Sequence, residues 1–255
     1  MKVTQFGEGK KSILIIHGWM HSSKWYNRIA GELGQDNRVF LVDLPGFSGE
    51  KAPGCDNILD YYTQETVELM NSHKFDLIIG HSTGGAVLIR AMHDPALKYS
   101  NKVILANPAY AGIGYLKPIV YFWRFCRFIF FLASKAPLFI AKPIIKIVAL
   151  VSIRRWKMID DLLVDDCRSS DPHVAAKLAK ELVFDKFRWT TDNEFKSITI
   201  FRSEYDRLIS NKNIDLLAED IGECEIVEFK NIGHTSVTED YPMFLKNTKA
   251  VLETD

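Results

Sequence analysis

The chain has 255 residues, 47% of them hydrophobic and 25% charged, a balance that excludes disorder and collagen-like repeats. Thirty-two Lys and Arg against 32 Asp and Glu bring the formal charge to zero, which argues against a general nucleic-acid coat while leaving local basic patches open. Four cysteines, Cys55, Cys126, Cys167 and Cys224, form no C-x-x-C pair, so their spacing supports neither a zinc cage nor a disulfide scaffold.

The opening residues, Met1 to Gly7, lack the apolar run of a signal peptide, which makes a reducing cytoplasm the expected compartment. The stretch from Met1 to Lys11 has room for one or two short antiparallel strands. Ser12 to Ile16 then reads as a buried strand running into His17-Gly18, and a helix is expected from about Ser23 to Leu33. Arg38 to Asp43 repeats the strand pattern and ends in Leu44-Pro45-Gly46. A helix over Ile58 to Ser72 follows, then a strand over Phe75 to Gly80 and a helix from Thr83 to His93, stopped by Asp94-Pro95. Lys102 to Ala106 is a further strand. Uninterrupted apolar strands alternating with helices predict a doubly wound α/β fold whose mostly parallel sheet is covered on both faces.

From Asn107 to Ser197 no strand pattern occurs and helical patterns dominate. Asp171 to Phe187 carries Val174, Leu178 and Leu182 at helical spacing, the signature of an amphipathic helix. The α/β rhythm resumes with a strand over Ile198 to Arg202, a helix near Asn213 to Glu219 and a strand over Glu225 to Phe229. A last helix has Pro242 in its first turn. The expected organisation is a core of residues 1–110 and 197–255 interrupted by a helical cap, 111–196.

Gly80-His81-Ser82-Thr83-Gly84 lies between a predicted strand and a predicted helix. Composition alone would yield ~0.05 matches to G-x-S-x-G. At a strand-to-helix turn the pattern has a mechanical meaning, because small residues on either side let the chain reverse with serine at the apex. The plain alternative is a glycine-rich turn with a capping serine.

A serine nucleophile needs a base, and the base needs an orienting acid, both from loops at the carboxyl ends of later strands. Asp206 lies just past Ile198 to Arg202, and His234 just past the last core strand in Asn231-Ile232-Gly233-His234-Thr235. Glu204, two residues earlier, competes with Asp206 as the acid. Asn107 marks another strand end but is an amide, and Asp43 leads into a structural turn. Among the other histidines, His17 is expected to fix its own loop, His73 and His93 to be solvated at helix ends, and His81 to point away from the site. His173 falls in the helical insertion. Backbone donors for a developing oxyanion are expected from Thr83, after the serine, and Trp19, in the turn after the first core strand.

These residues together resemble the α/β-hydrolase superfamily over nearly the whole chain: His17-Gly18, Asp43-Leu44-Pro45-Gly46-Phe47-Ser48, Gly80 to Gly85, Asp206, Gly233-His234 and the tail Glu239-Asp240-Tyr241-Pro242-Met243-Phe244. The resemblance implies a serine esterase, lipase or thioesterase working through Ser82, His234 and Asp206 without a cofactor. It also implies that residues after the central strands form a cap over the site. Lyases, C–C hydrolases and perhydrolases on the same three residues, and a non-catalytic receptor for a hydrophobic ligand, remain open alternatives. Met20, His21 and Trp123 are expected to line the substrate pocket.

The insertion is unusual in its charge. From Gly112 to Ile159 the only charged residues are Lys117, Arg124, Arg127, Lys135, Lys142, Lys146, Arg154, Arg155 and Lys157, among many aromatics, and acids return at Asp160-Asp161 and Asp165-Asp166. Three readings compete: amphipathic helices whose cations snorkel outwards, an apolar tunnel for an acyl chain, or a face lying in a membrane interface. Pro137 and Pro143 interrupt the stretch, and with the frequent cations they disfavour a spanning helix.

Overall fold

The computed structural model describes residues 1–98, 102–149, 154, 161–190 and 195–254. Arg155, Lys157, Ile159 and Asp160, part of the charge pattern above, lie outside the described residues.

Among the described residues seven strands form one sheet: β1 (Lys2–Phe6), β2 (Lys11–Ile16), β3 (Asn37–Asp43), β4 (Leu77–His81), β5 (Lys102–Ala106), β6 (Ser197–Ser203) and β7 (Glu225–Phe229). Their spatial order is β1-β3-β2-β4-β5-β6-β7. Only β1 is antiparallel, pairing Lys2 with Asp43 and Phe6 with Val39. The other neighbours run parallel, with Ile16 beside Gly80 and His81 beside Ala106. The amino-terminal segment therefore makes one edge strand.

Period-two alternation decides which side chains go to which face. Leu14, Ile16, Ile78, Val103 and Leu105 pack on one side with residues of α2 (Ile58–Ser72), α3 (Thr83–Ala91) and α9 (Asn211–Ile221). Ile13, Ile15, Leu77, Ile79 and Ile104 pack on the other with Ile29 and Leu33 of α1 (Asn27–Leu33) and Phe244 and Leu252 of α11 (Tyr241–Glu253). Because both faces are covered, β4 and β5 are buried at every position.

The chain goes from β2 outwards to β3 and returns past β2 to β4, so the winding direction reverses between β2 and β4. The carboxyl ends of those strands are where an open α/β sheet leaves a crevice. His17 and Ser82 stand at those two ends.

Between β5 and β6 every described regular element is helical: α4 (Lys117–Val120), α5 (Trp123–Lys135), α6 (Leu138–Ala149), α7 (Asp161–Ser169) and α8 (Pro172–Val183). α8 starts with Pro172 in its first turn and Asp171 accepting from the His173 and Val174 N–H groups, the expected helix start. Its Glu181 accepts from the N–H groups of Ile58 and Leu59 and so completes the start of α2 as well.

Three sequence expectations need correction. The helix from Ser23 is split, a 3₁₀ turn over Ser23–Tyr26 preceding α1, because Asp43 holds both the N–H and the hydroxyl of Ser23 and draws the first turn tight. Pro143 does not interrupt its helix. It lies inside α6, where its ring leaves the carbonyl of Phe139, a residue 78% exposed, without the helix hydrogen bond. His93 is only partly solvated: its ring is edge-on to Phe187 and Trp189, and its Nε2 accepts from the N–H of Thr190.

Candidate active site

β4 ends at His81, and the chain reverses at Ser82 into α3. Ser82 has φ 53° and ψ −111°, a conformation that L-residues adopt only under constraint. The reversal depends on missing side chains: a Cβ on Gly80 would stand 2.6 Å from the Gly84 carbonyl oxygen, and one on Gly84 would stand 2.3 Å from that of Ile16. The apex backbone is held on both sides. Its N–H donates to Ala106 O at 2.9 Å, and its C=O accepts from Ala86 and Ala109, each at 3.0 Å. The Ser82 hydroxyl has no hydrogen-bond partner among the described residues.

Asp206 and His234 are brought together. His234 Nδ1 donates to Asp206 Oδ2 at 2.6 Å, and both side chains are only 3% exposed. The carboxylate is fixed from the other side, since Asp206 Oδ1 accepts from the N–H groups of Leu208 and Ile209, each at 2.8 Å. With Nδ1 carrying the shared proton, His234 Nε2 is the free lone pair. That nitrogen is buried and has no hydrogen-bond partner among the described residues. Glu204 is elsewhere, its Oε2 accepting from the N–H of Asn231 at 2.9 Å.

The His234 loop is tied to the elbow by groups next to Ser82. The His234 carbonyl accepts from Asn107 Nδ2 at 2.6 Å and from His81 Nε2 at 3.1 Å. Asn107 Nδ2 also donates to Ser203 Oγ at 2.8 Å, so one amide joins the ends of β5 and β6 to the histidine loop. On the far side, Glu239 Oε1 accepts from the Gly233 N–H and the Thr235 hydroxyl. Contrary to expectation, His81 does not point away. Its ring lies 5.1 Å from that of His234 and 5.7 Å from that of His21, which itself stacks on Trp25 at 4.2 Å. Burial is the main reason that His81 is pushed down to about 3 and His21 well below the usual histidine range. Burial therefore favours the neutral form of both rings.

The loop after β2 lies against the elbow: a Cβ on Gly18 would be 3.2 Å from Ser82 Cβ and 3.1 Å from His81 Nδ1. His17 fixes this loop, its Nδ1 donating to Gly18 O at 2.7 Å and its Nε2 accepting from the Leu44 N–H at 3.0 Å. Trp19 makes no backbone hydrogen bond through its N–H among the described residues. Thr83 opens α3, so its N–H is among the first-turn donors that have no acceptor within the helix. Met20 is 7% exposed at φ 54°, and His21 belongs to the ring column. Asp43 is committed to the turn, accepting from Ser23 and from Ser48 Oγ.

Of the inserted helices, α5 reaches this loop through Phe130, whose ring is 5.7 Å from that of Trp19. Trp123 instead packs edge-on to His173 of α8, 5.8 Å away, with Lys180 Nζ over its own ring, 5.7 Å from the centroid. Phe130, Asn107 and Glu239 are the site neighbours that sequence reading missed as such. Only Asn107, at a strand end, carried a positional signal.

A strained serine between β4 and α3, an Asp–His pair on the loops after β6 and β7, and this strand order define a class. The chain belongs to the alpha/beta hydrolase family, whose profile matches residues 13–244. It is 26% identical over 246 residues to human "Monoacylglycerol lipase ABHD6", spanning 90% of this chain and 72% of that protein. It is 30% identical over 113 residues, 43% of each chain, to the "Pimeloyl-[acyl-carrier protein] methyl ester esterase" of Aeromonas salmonicida. In fold it is similar to the enol-lactonase from Burkholderia xenovorans LB400, with a TM-score of 0.79 at 17% identity over 99% of this chain and 96% of the other.

Proposed function

We propose that the protein is a serine hydrolase of carboxylic esters or thioesters with an apolar acyl group. Ser82 Oγ attacks the acyl carbonyl while His234 Nε2 takes its proton. Asp206 keeps the imidazole in the tautomer that leaves Nε2 free, and it stabilises the imidazolium that forms. The N–H groups of Thr83 and Trp19 receive the negative charge of the tetrahedral intermediate, where one donor is worth ~3 kcal/mol of barrier. His234 then protonates the departing alcohol or thiol. In the second half-reaction it activates water to release the acid and regenerate Ser82. We read the inserted helices as a cap, with Phe130 against Trp19 supplying apolar surface over the acyl side.

The observation that carries this reading is the 2.6 Å Asp206–His234 hydrogen bond on a loop whose carbonyl is bound by His81, the residue adjoining the strained Ser82. The names of the two curated relatives, a monoacylglycerol lipase and a methyl ester esterase, support ester substrates.

The test is turnover of p-nitrophenyl esters of increasing chain length together with labelling by a fluorophosphonate. Ser82→Ala should lose hydrolysis and labelling while keeping the circular dichroism spectrum of the parent. Activity retained in that variant, or no labelling of the folded parent, overturns the assignment.

A further inference from the structure

Tyr115 to Ile140 holds twelve large apolar side chains that are at least 44% exposed, out of sixteen exposed large apolar side chains among the described residues. Ordinary monomers scatter such residues singly, whereas a contiguous set marks an interaction surface. In α5 the side towards the protein is Trp123, Cys126, Phe130 and Ala133, spaced by three and four, and even these are only half-buried. The opposite side shows Phe125, Phe128, Phe131 and Leu132 to solvent. α6 adds Leu138, Phe139 and Ile140, with Phe139 at 78%.

Charge says what covers this face. Residues 112–149 carry six cations and no acid. Lys142 and Lys146 pair with Asp161, while Lys117, Arg124, Arg127 and Lys135 have no carboxylate partner among the described residues. A cleft of about 340 Å³ opens between α5 and the start of α8, lined by Arg124, Arg127 and His173 over Phe128 and Phe131. The remaining acid there, Asp171, is spent on capping its own helix. Cations without a carboxylate partner among the described residues, interleaved with aromatics, are complementary to one kind of partner, a surface that offers anionic head groups above an apolar layer. No helix among the described residues is long and apolar enough to cross a membrane, so contact means lying in the interface.

We infer that the outer face of α4 to α6 docks on an anionic lipid bilayer, with Phe125, Phe128, Phe131, Leu132 and Phe139 in the acyl boundary and Arg124, Arg127, Lys117 and Lys135 among the head groups. Docked in this way, α5 stands between the bilayer and the loop at Trp19, which it already touches through Phe130. The docking does not depend on the chemistry of Ser82.

The experiment is co-sedimentation of the full chain, as Ser82→Ala so that lipid stays intact, with phosphatidylcholine vesicles carrying or lacking one-third phosphatidylglycerol. Binding to the anionic vesicles is expected to be at least tenfold tighter and to weaken with salt. Arg124→Gln with Lys135→Gln should weaken it about thirtyfold, since each cation near such a surface contributes ~1 kcal/mol. Phe125→Ser with Phe128→Ser should weaken it at least tenfold, whereas Lys246→Gln with Lys249→Gln on α11 should leave it unchanged. Thermal unfolding of each variant shows that the fold is kept. Equal sedimentation with both lipids, or indifference to both α5 variants, overturns the proposal. So does a concentration-dependent dimer, lost in Phe125→Ser with Phe128→Ser, in a protein that ignores vesicles, because the face then belongs to a second copy.

Discussion

Asp206 and Glu204 sit two residues apart after the same strand, and their hydrogen bonds separate them. Asp206 has one oxygen on His234 and the other on two backbone N–H groups, whereas Glu204 serves the turn at Asn231. Replacing Asp206 with Asn removes the charge that holds the imidazole tautomer and should lower kcat by about 10⁴, the loss seen when a buried orienting carboxylate becomes an amide. Glu204→Gln should stay within about tenfold of the parent, since its bond lies at an exposed turn. Steady-state kinetics on a p-nitrophenyl ester decide this, and the reverse ranking would make Glu204 the acid. The pairing was legible because both candidates follow strands whose carboxyl ends share one rim. The grip of Asn107 on the His234 carbonyl was not legible, because it joins positions 127 residues apart and depends on the rotation of one amide. The ring column had no sequence signal either, since His21, His81 and His234 become neighbours only through the order of β2, β4 and the last loop.

Helix α7 is fastened to the segment after β2 through buried polar contacts, and α8 to the start of α2 through part-buried ones, in addition to hydrophobic area. Asp166 of α7 is 3% exposed, and its Oδ2 accepts from Ser22 Oγ at 2.8 Å and from Trp25 Nε1 at 2.7 Å. Burial outweighs those hydrogen bonds and raises its carboxyl to about 6. A carboxyl whose pKa is higher in the folded chain than in the unfolded one makes stability fall as pH rises through the interval between the two values. Here the interval runs from 3.8 to about 6, and the full cost above it is up to roughly 3 kcal/mol. Asp166→Asn keeps an acceptor for Ser22 and Trp25 but cannot ionise. Its thermal midpoint relative to the parent should therefore be several degrees higher at pH 7.5 than at pH 4. A difference that does not change with pH, or changes in the opposite sense, would show that the ionised form is not penalised. In the sequence Asp166 was only one of the acids that follow a basic stretch. What was legible in these elements was periodicity: Ile58–Ser72, Lys102–Ala106 and Glu225–Phe229 form over the expected residues because apolar spacing and flanking turns agree. Pro143 was misread because a helix tolerates one lost hydrogen bond where the residue that loses it is exposed, and His93 because its aromatic neighbours come from a distant segment.

Burial is graded across the molecule, and stability should follow it. β4 and β5 are fully buried between two helical layers, and α8 buries Val174, Ala175, Ala176, Leu178, Leu182 and Val183. α5 has no fully buried residue, so opening its backbone exposes little additional apolar surface. Local opening free energies run from near zero up to the global value, and they track the apolar contacts that each opening breaks. Amide hydrogen exchange should therefore be fastest along Trp123–Lys135, intermediate in α8 and slowest in β4 and β5, with at least a hundredfold between the first and the last. Exchange followed by mass spectrometry on peptides from the three regions measures this directly. Protection of α5 equal to that of β4 would mean that its apolar surface is covered in solution, and the exposed aromatic face would have to be sought inside an assembly. If the gradient holds, adding anionic vesicles should slow exchange in α5 and leave β4 unchanged, because only the outer helices gain a new apolar environment.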